Sequence, residues 1–165
     1  MTVRAITLFL GLMTSGLMAG LFFGWLVSVI PGLAKVSDSS YVSTMQNINR
    51  EIINPVFVAT FMLTPVVLGV AAIVHFQAGH NRRAWWLAAA AATYVVGVLG
   101  VTVGGNIALN NQLDAFDTRA ATDVALGERR SSYEGPWNRW HSLRTLASIG
   151  SLALASIAAI VEAGE

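Results

Sequence analysis

Long apolar runs separated by short polar stretches dominate this chain. The first run carries no charge from Ala5 to Ala34 and supplies a span at about residues 5–30. Others follow at about 54–76, 84–109 and 143–161, and Arg144 is the only charge in the last. A bilayer core is about 30 Å thick and takes about 20 apolar residues to cross as a helix. The pattern therefore predicts an all-α fold. It is an integral membrane four-helix bundle forming one domain over residues 1–165. A loop of about 20 residues, a turn of about 8 and a loop of about 30 join the spans. In an up-and-down bundle both longer loops fall on one membrane face.

The polar stretches carry weaker signals. In the first loop, Asn47, Arg50, Glu51 and Asn54 stand at i, i+3, i+4 and i+7, which predicts a helix with these four on one face. Pro55 suits the first turn of the second span. The middle of the long loop, ATDVALGERRSSYEG, predicts a short helix and a turn. Pro65, inside the second span, is expected to kink it or to be tolerated there. No repeat or low-complexity segment stands out.

Composition sharpens the class. Charged residues make up 12% of the chain, against about 25% in soluble domains. This excludes an ordinary cytosolic enzyme, a nucleic-acid binder and a disordered chain. Ten basic and nine acidic residues leave a net charge of +1, so overall charge selects no partner, and membrane lipid follows from the apolar spans alone. The absence of cysteine removes disulfides, thiolate metal sites, iron–sulfur clusters and cysteine nucleophiles. The first apolar run is about twice too long for a signal peptide, which places it as a retained span. A raw count of basic residues puts the long loops inside, whereas Arg82 and Arg83 abut a span end directly and with Arg4 lean towards both termini on the cytoplasmic side of the plasma (inner) membrane.

Small residues mark close helix packing in lipid. Gly16, Gly20 and Gly24 form two overlapping GxxxG units, with Gly11 nearby. Gly100 and Gly104 repeat the spacing, and Ala147, Ser151 and Ala155 give the last span a small stripe. Packing inside one bundle is the first expectation; a homodimer seam along the first span is the second.

The polar residues concentrate at the end of the bundle that bears both long loops. Asn106 and Asn110 share a face at i, i+4; Trp137, Trp140, His141 and Arg144 share one at i, i+3, i+4 and i+7. Polar groups inside a membrane are costly and usually face the bundle interior. Arg144 could instead pair with Glu51 and pin the first loop. A single histidine in the cluster lacks the ligand count of zinc, copper or iron sites, and no metal site is assigned. No haem, flavin, nucleophilic-triad, phosphate-loop or paired-carboxylate motif is present, so the cofactor is left unknown.

The stretches MQNINREIINPVF, GGNIALNNQLDAF and WNRWHSLRTLAS, following a glycine-rich first span, resemble the anthrone oxygenase-like family of small four-helix membrane proteins. The resemblance runs over roughly residues 8–160. Fungal members oxidise anthrones to anthraquinones. By that resemblance the chain would oxidise a flat hydrophobic aromatic with oxygen, as a cofactor-independent oxygenase. His141 would accept a proton, and Asn106, Asn110 and Arg144 would hold the developing oxyanion. Trp137 and Trp140 would stack on the ring, and Asn47, Arg50 and Asn54 would complete the binding residues. The competing reading is a non-enzymatic membrane protein that binds a small hydrophobic ligand or serves as a complex subunit. An open apolar pocket among Asn106, Trp140, His141 and Arg144 would favour ligand chemistry; a closed, fully paired polar cluster would favour the structural role.

Overall fold

The computed structural model describes residues 2–161. Within them the fold is helical throughout. Helix α1 spans Val3–Leu33, α2 spans Asp38–Glu51, α3 spans Pro55–Gln77, α4 spans Asn81–Asp114 and α5 spans Asp123–Ile160. All but α2 are long and apolar enough to cross a membrane, so the chain is a multi-pass membrane protein. The four long helices close a ring in which α1 packs on α3, α3 on α4, α4 on α5 and α5 back on α1. The short α2 lies against α4 and α5 at the loop-bearing end.

Local chemistry sets the boundaries. Thr2 caps α1, Ser37 caps α2, and the Thr122 hydroxyl accepts from the Ala125 N–H at the start of α5. Asn54 accepts from the Phe57 N–H, and Pro55 opens α3 as its position predicted. The α3–α4 turn is only Ala78–His80, closed by Gly79 at φ +80°, a conformation that glycine adopts without strain. Pro65 is buried within an unbroken α3 and is tolerated there.

Two boundaries differ from the sequence reading. The last helix begins at Asp123 and runs for 38 residues, passing through Gly127, Gly135 and Pro136 where a short helix and a turn were expected. Its buried face (Leu126, Tyr133, Trp137, His141, Thr145, Ser148, Ser151, Ala155 and Ala158) is continuous from loop to span, and that packing overrides the breakers. In α2 the predicted helix forms, but its expected working face is the solvent face. Asn47, Arg50 and Glu51 are exposed, whereas Tyr41, Val42, Met45, Gln46 and Asn49 are buried. Tyr41, Val42 and Met45 join Leu113, Leu126, Tyr133 and Trp137 in one core cluster, which fixes α2 to the bundle.

The glycines also redistribute. A Cβ at Gly16, Gly20 or Gly24 would meet nothing within 4 Å, so this stripe does not pack the bundle as expected. The close approaches fall elsewhere. A Cβ at Gly97 would lie 2.4 Å from that of Ala147, and one at Gly105 would lie 2.4 Å from the Trp140 ring. The small stripe of α5 does pack: Ser151 and Ala155 are buried, and the Ser151 hydroxyl donates to the Ala90 carbonyl at 2.9 Å.

Three wide π-type turns interrupt the long helices, at Trp25–Val29 in α1 and at Val95–Gly100 and Thr102–Asn106 in α4. Each inserts extra chain into one turn and rotates the faces beyond it. Such turns recur at functional sites. Here two of them supply residues to the cavity described next.

Candidate functional site

At the loop-bearing end the helices enclose a cavity of about 270 Å³. Leu21, Phe22 and Trp25 of α1 line it, with Ile48, Asn49 and Ile52 of α2. Phe57, Val58, Phe61 and Met62 come from α3, preceded by Ile53. Thr102, Ile107 and Asn110 of α4 and Trp137, His141 and Arg144 of α5 complete the wall. The lining is apolar except at two poles, and no carboxylate belongs to it.

Arg144, His141 and Trp137 form the first pole. Spacings of four and three residues bring them to one face of α5. The Trp137 and His141 rings stack with centroids 4.9 Å apart and planes 6° from parallel. The Arg144 guanidinium carbon lies 4.7 Å from the centre of the Phe22 ring and 5.3 Å from that of Trp137. Arg144 Nε and Nη2 stand 3.2 and 3.0 Å from His141 Nδ1. A guanidinium only donates, so Nδ1 is the acceptor. His141 Nε2 therefore carries the proton and donates to the Phe22 carbonyl at 3.1 Å. The imidazole is held neutral, in one tautomer, with its only lone pair covered by Arg144.

Arg144 makes no ion pair among the described residues; the pairs found are Arg50–Asp114, Arg130–Asp38 and Arg130–Glu134. The Arg144–Glu51 pair considered from sequence does not form. A charge withdrawn from water without a counter-ion is expensive. The cation–π contacts with Phe22 and Trp137 offset part of that cost. The remainder is available to an anionic or polarised oxygen placed in the cavity.

Asn49 and Asn110 form the second pole, and Tyr133 fixes both. Asn49 Nδ2 donates to the Tyr133 hydroxyl at 3.0 Å, and that hydroxyl donates to Asn110 Oδ1 at 2.9 Å. Trp137 Nε1 donates to the same Oδ1 at 2.8 Å. This chain sets the orientation of the Asn110 amide and leaves its Nδ2 for other partners. Trp25 Nε1 and Thr102 Oγ1, on residues that line the cavity, are buried polar atoms without partners.

Tyr133→Phe is expected to cost about 1–2 kcal/mol of stability, because it strips the partner from a buried Asn49 amide. Unfolding of the variant in detergent measures this. On α2, burial, with Glu134 nearby, raises Tyr41 above the ordinary phenol range, and Arg130 partly opposes this. Tyr41 therefore stays protonated and packs beneath the Arg130 guanidinium, 4.6 Å from its ring centre.

Of the residues singled out from sequence, Asn110, Trp137, His141 and Arg144 meet at the cavity. Asn106 is fully buried beside it, its Nδ2 3.4 Å from the Trp137 carbonyl and its Oδ1 unpartnered. Trp140 lies off the shared face, 37% exposed and over Gly105. Arg50 pairs with Asp114 at 2.6 Å on the surface, Asn47 is exposed, and Asn54 serves as the α3 cap. Among the described residues no group of three or more histidines and carboxylates is placed to hold a metal ion. Tyr133, Trp25 and Thr102 were not anticipated, and Asn49, one of the polar residues at this end of the bundle, was given no site role. Asn49 stands at the i+4 position from Met45 on the apolar face of α2, a pattern the sequence does contain.

Four helices long and apolar enough to cross a membrane surround an apolar cavity with a buried guanidinium and a fixed amide at its wall. The chain belongs to the anthrone oxygenase family, whose model matches residues 55–154. That segment contains α3, α4 and most of α5, and with them Trp137, His141 and Arg144 of the first pole. No curated protein and no solved structure matches the chain.

Proposed function

We propose that the protein is a membrane-embedded oxygenase acting on a flat, hydrophobic, anthrone-like ketone or phenol. The observation that carries this reading is the Arg144–His141 pair at the wall of an apolar cavity, a cation without a counter-ion covering the lone pair of a neutral imidazole. The family membership supports the substrate class.

The reaction removes two hydrogens from the ring methylene and installs one oxygen atom there. Molecular oxygen is the oxidant, and its second atom leaves as water. The residues can promote the first step, ionisation of the methylene. As a proton leaves carbon, charge moves to the ketone oxygen. Arg144 turns its donors from His141 Nδ1 to that oxygen, and Nδ1 becomes free to take the proton. Oxyanion stabilisation and release of the base are thus one movement. The electron-rich enolate then reacts with oxygen. The Asn110 amide holds the far edge of the ring system, and the Trp137 and Phe22 rings border the site.

His141→Gln separates binding from turnover. The glutamine amide can still accept from Arg144 but is not a base. The variant is expected to bind anthraquinone, the product, within about threefold of wild type and to lose anthrone oxidation by about 10²-fold or more. Unchanged oxidation by a folded His141→Gln protein would remove His141 from the reaction.

A further inference from the structure

The short helix α2 covers one end of the cavity, and the rim along α3 is apolar and exposed. At the covered end, α2 lies across it with Ile48, Asn49 and Ile52 facing inward. This cover is tied down: Gln46 Nε2 donates to the carbonyls of Leu113 and Phe116, both at 2.8 Å, and Arg50 pairs with Asp114 across the same seam. At the exposed rim the lining is different. Leu21, Ile53, Val58, Met62 and Ile107 all line the cavity, and all are between 39% and 73% exposed. Every one is apolar. Val58 and Met62 stand about 5 and 10 Å along α3 from its first residue, by the helical rise of 1.5 Å per residue. The mouth therefore lies inside the apolar band of α3.

We propose that the cavity is loaded sideways from the acyl-chain region of the bilayer, around the first two turns of α3, and that its ligands arrive as uncharged, membrane-dissolved molecules. A charged ligand would pay heavily to cross an apolar rim within hydrocarbon. A neutral ketone or phenol crosses freely and meets Arg144 only inside. The proposal rests on the reading of the cavity as the substrate site. It adds the route and the charge state on arrival.

The test uses the full chain in phosphatidylcholine vesicles, with anthraquinone as the probe. Trp25 and Trp137 line the cavity, so binding there appears as a saturable quenching of tryptophan fluorescence above the linear quenching of lipid-facing tryptophans. Val58→Phe with Met62→Phe narrows the mouth. Val66→Phe with Val70→Phe places the same bulk on exposed positions of α3 that do not line the cavity. In a third protein Arg50→Cys and Asp114→Cys are bridged by a short bis-maleimide; the chain has no other cysteine. This locks the α2 cover. The lateral mouth predicts that the Val58/Met62 pair slows both the onset and the reversal of saturable quenching at least tenfold. The control pair and the bridged protein stay within twofold. Unchanged rates in the Val58/Met62 pair, or a tenfold slowing in the bridged protein, would overturn the lateral route while leaving the cavity as the binding site. Absence of saturable quenching in the wild-type protein would instead overturn the cavity reading itself.

Discussion

Arg144→Met is expected to lower the rate of anthrone oxidation by about 10²–10³-fold and to leave the bundle close to wild type in stability, the removal of a buried unpaired charge offsetting the partner lost to His141 Nδ1. The first effect follows from the loss of a preorganised donor for a developing oxyanion, about 3 kcal/mol in sites that exclude water. The second follows from burial. Arg144 has no carboxylate partner among the described residues, so methionine removes an uncompensated charge while retaining much of the apolar stem between Phe22 and Trp137. Oxygen uptake with anthrone measures the rate, and thermal unfolding in the same detergent measures stability. The divergence of the two is the informative outcome. An arginine retained for architecture would lose both together.

Gly97→Ala should produce the largest loss of stability from a single methyl group. Its Cβ would lie 2.4 Å from the Ala147 Cβ and 3.7 Å from the Ala147 Cα. Alanine has no rotamer with which to move aside, so α4 and α5 must separate. Overpacking of this kind costs about 1–3 kcal/mol. Gly20→Ala should do the reverse. Its Cβ meets nothing within 4 Å, and alanine in a helix is favoured over glycine by about 0.5–1 kcal/mol. Gly105→Ala falls between, because the half-exposed Trp140 ring can swing outward. Unfolding midpoints of the three variants, compared in one detergent, should rank Gly20→Ala highest and Gly97→Ala lowest. The opposite order would show that the GxxxG stripe packs the bundle after all.

The contrast between these glycines shows where sequence spacing stops being informative. Apolar run length gave the four crossing helices directly, because a bilayer imposes that length whatever the packing. The caps at Asn54 and Pro55 were equally readable, being local chemistry. A GxxxG spacing shows that a helix can approach a neighbour closely, not which face does so. Gly97 and Gly105 stand alone in spacing terms, yet they carry the close contacts. The same limit applied to the site. Trp137, His141 and Arg144 lie on an uninterrupted helix and share a face as the 3.6-residue period placed them, whereas Trp140, at the edge of that face, turns away over Gly105. Asn106 lies in a wide turn of α4 and does not line the cavity, whereas Asn110, one turn later, does. In α2 the conspicuous polar residues were the solvent face. Gln46 and Asn49, from the same polar run, are the ones that turn inward, where they bond the Leu113 and Phe116 carbonyls and the Tyr133 hydroxyl.

The central claim is that the Arg144–His141 cavity promotes reaction of an anthrone with molecular oxygen. The most direct measurement supplies anthrone and ¹⁸O₂ to the protein in vesicles and follows the labelled quinone by mass spectrometry, with protein-free vesicles as the background. The account predicts quinone carrying one ¹⁸O atom, formed well above background by the wild-type protein and at no more than a hundredth of that rate by Arg144→Met. Quinone formation at the background rate, or equal rates for the wild-type and Arg144→Met proteins, would contradict it.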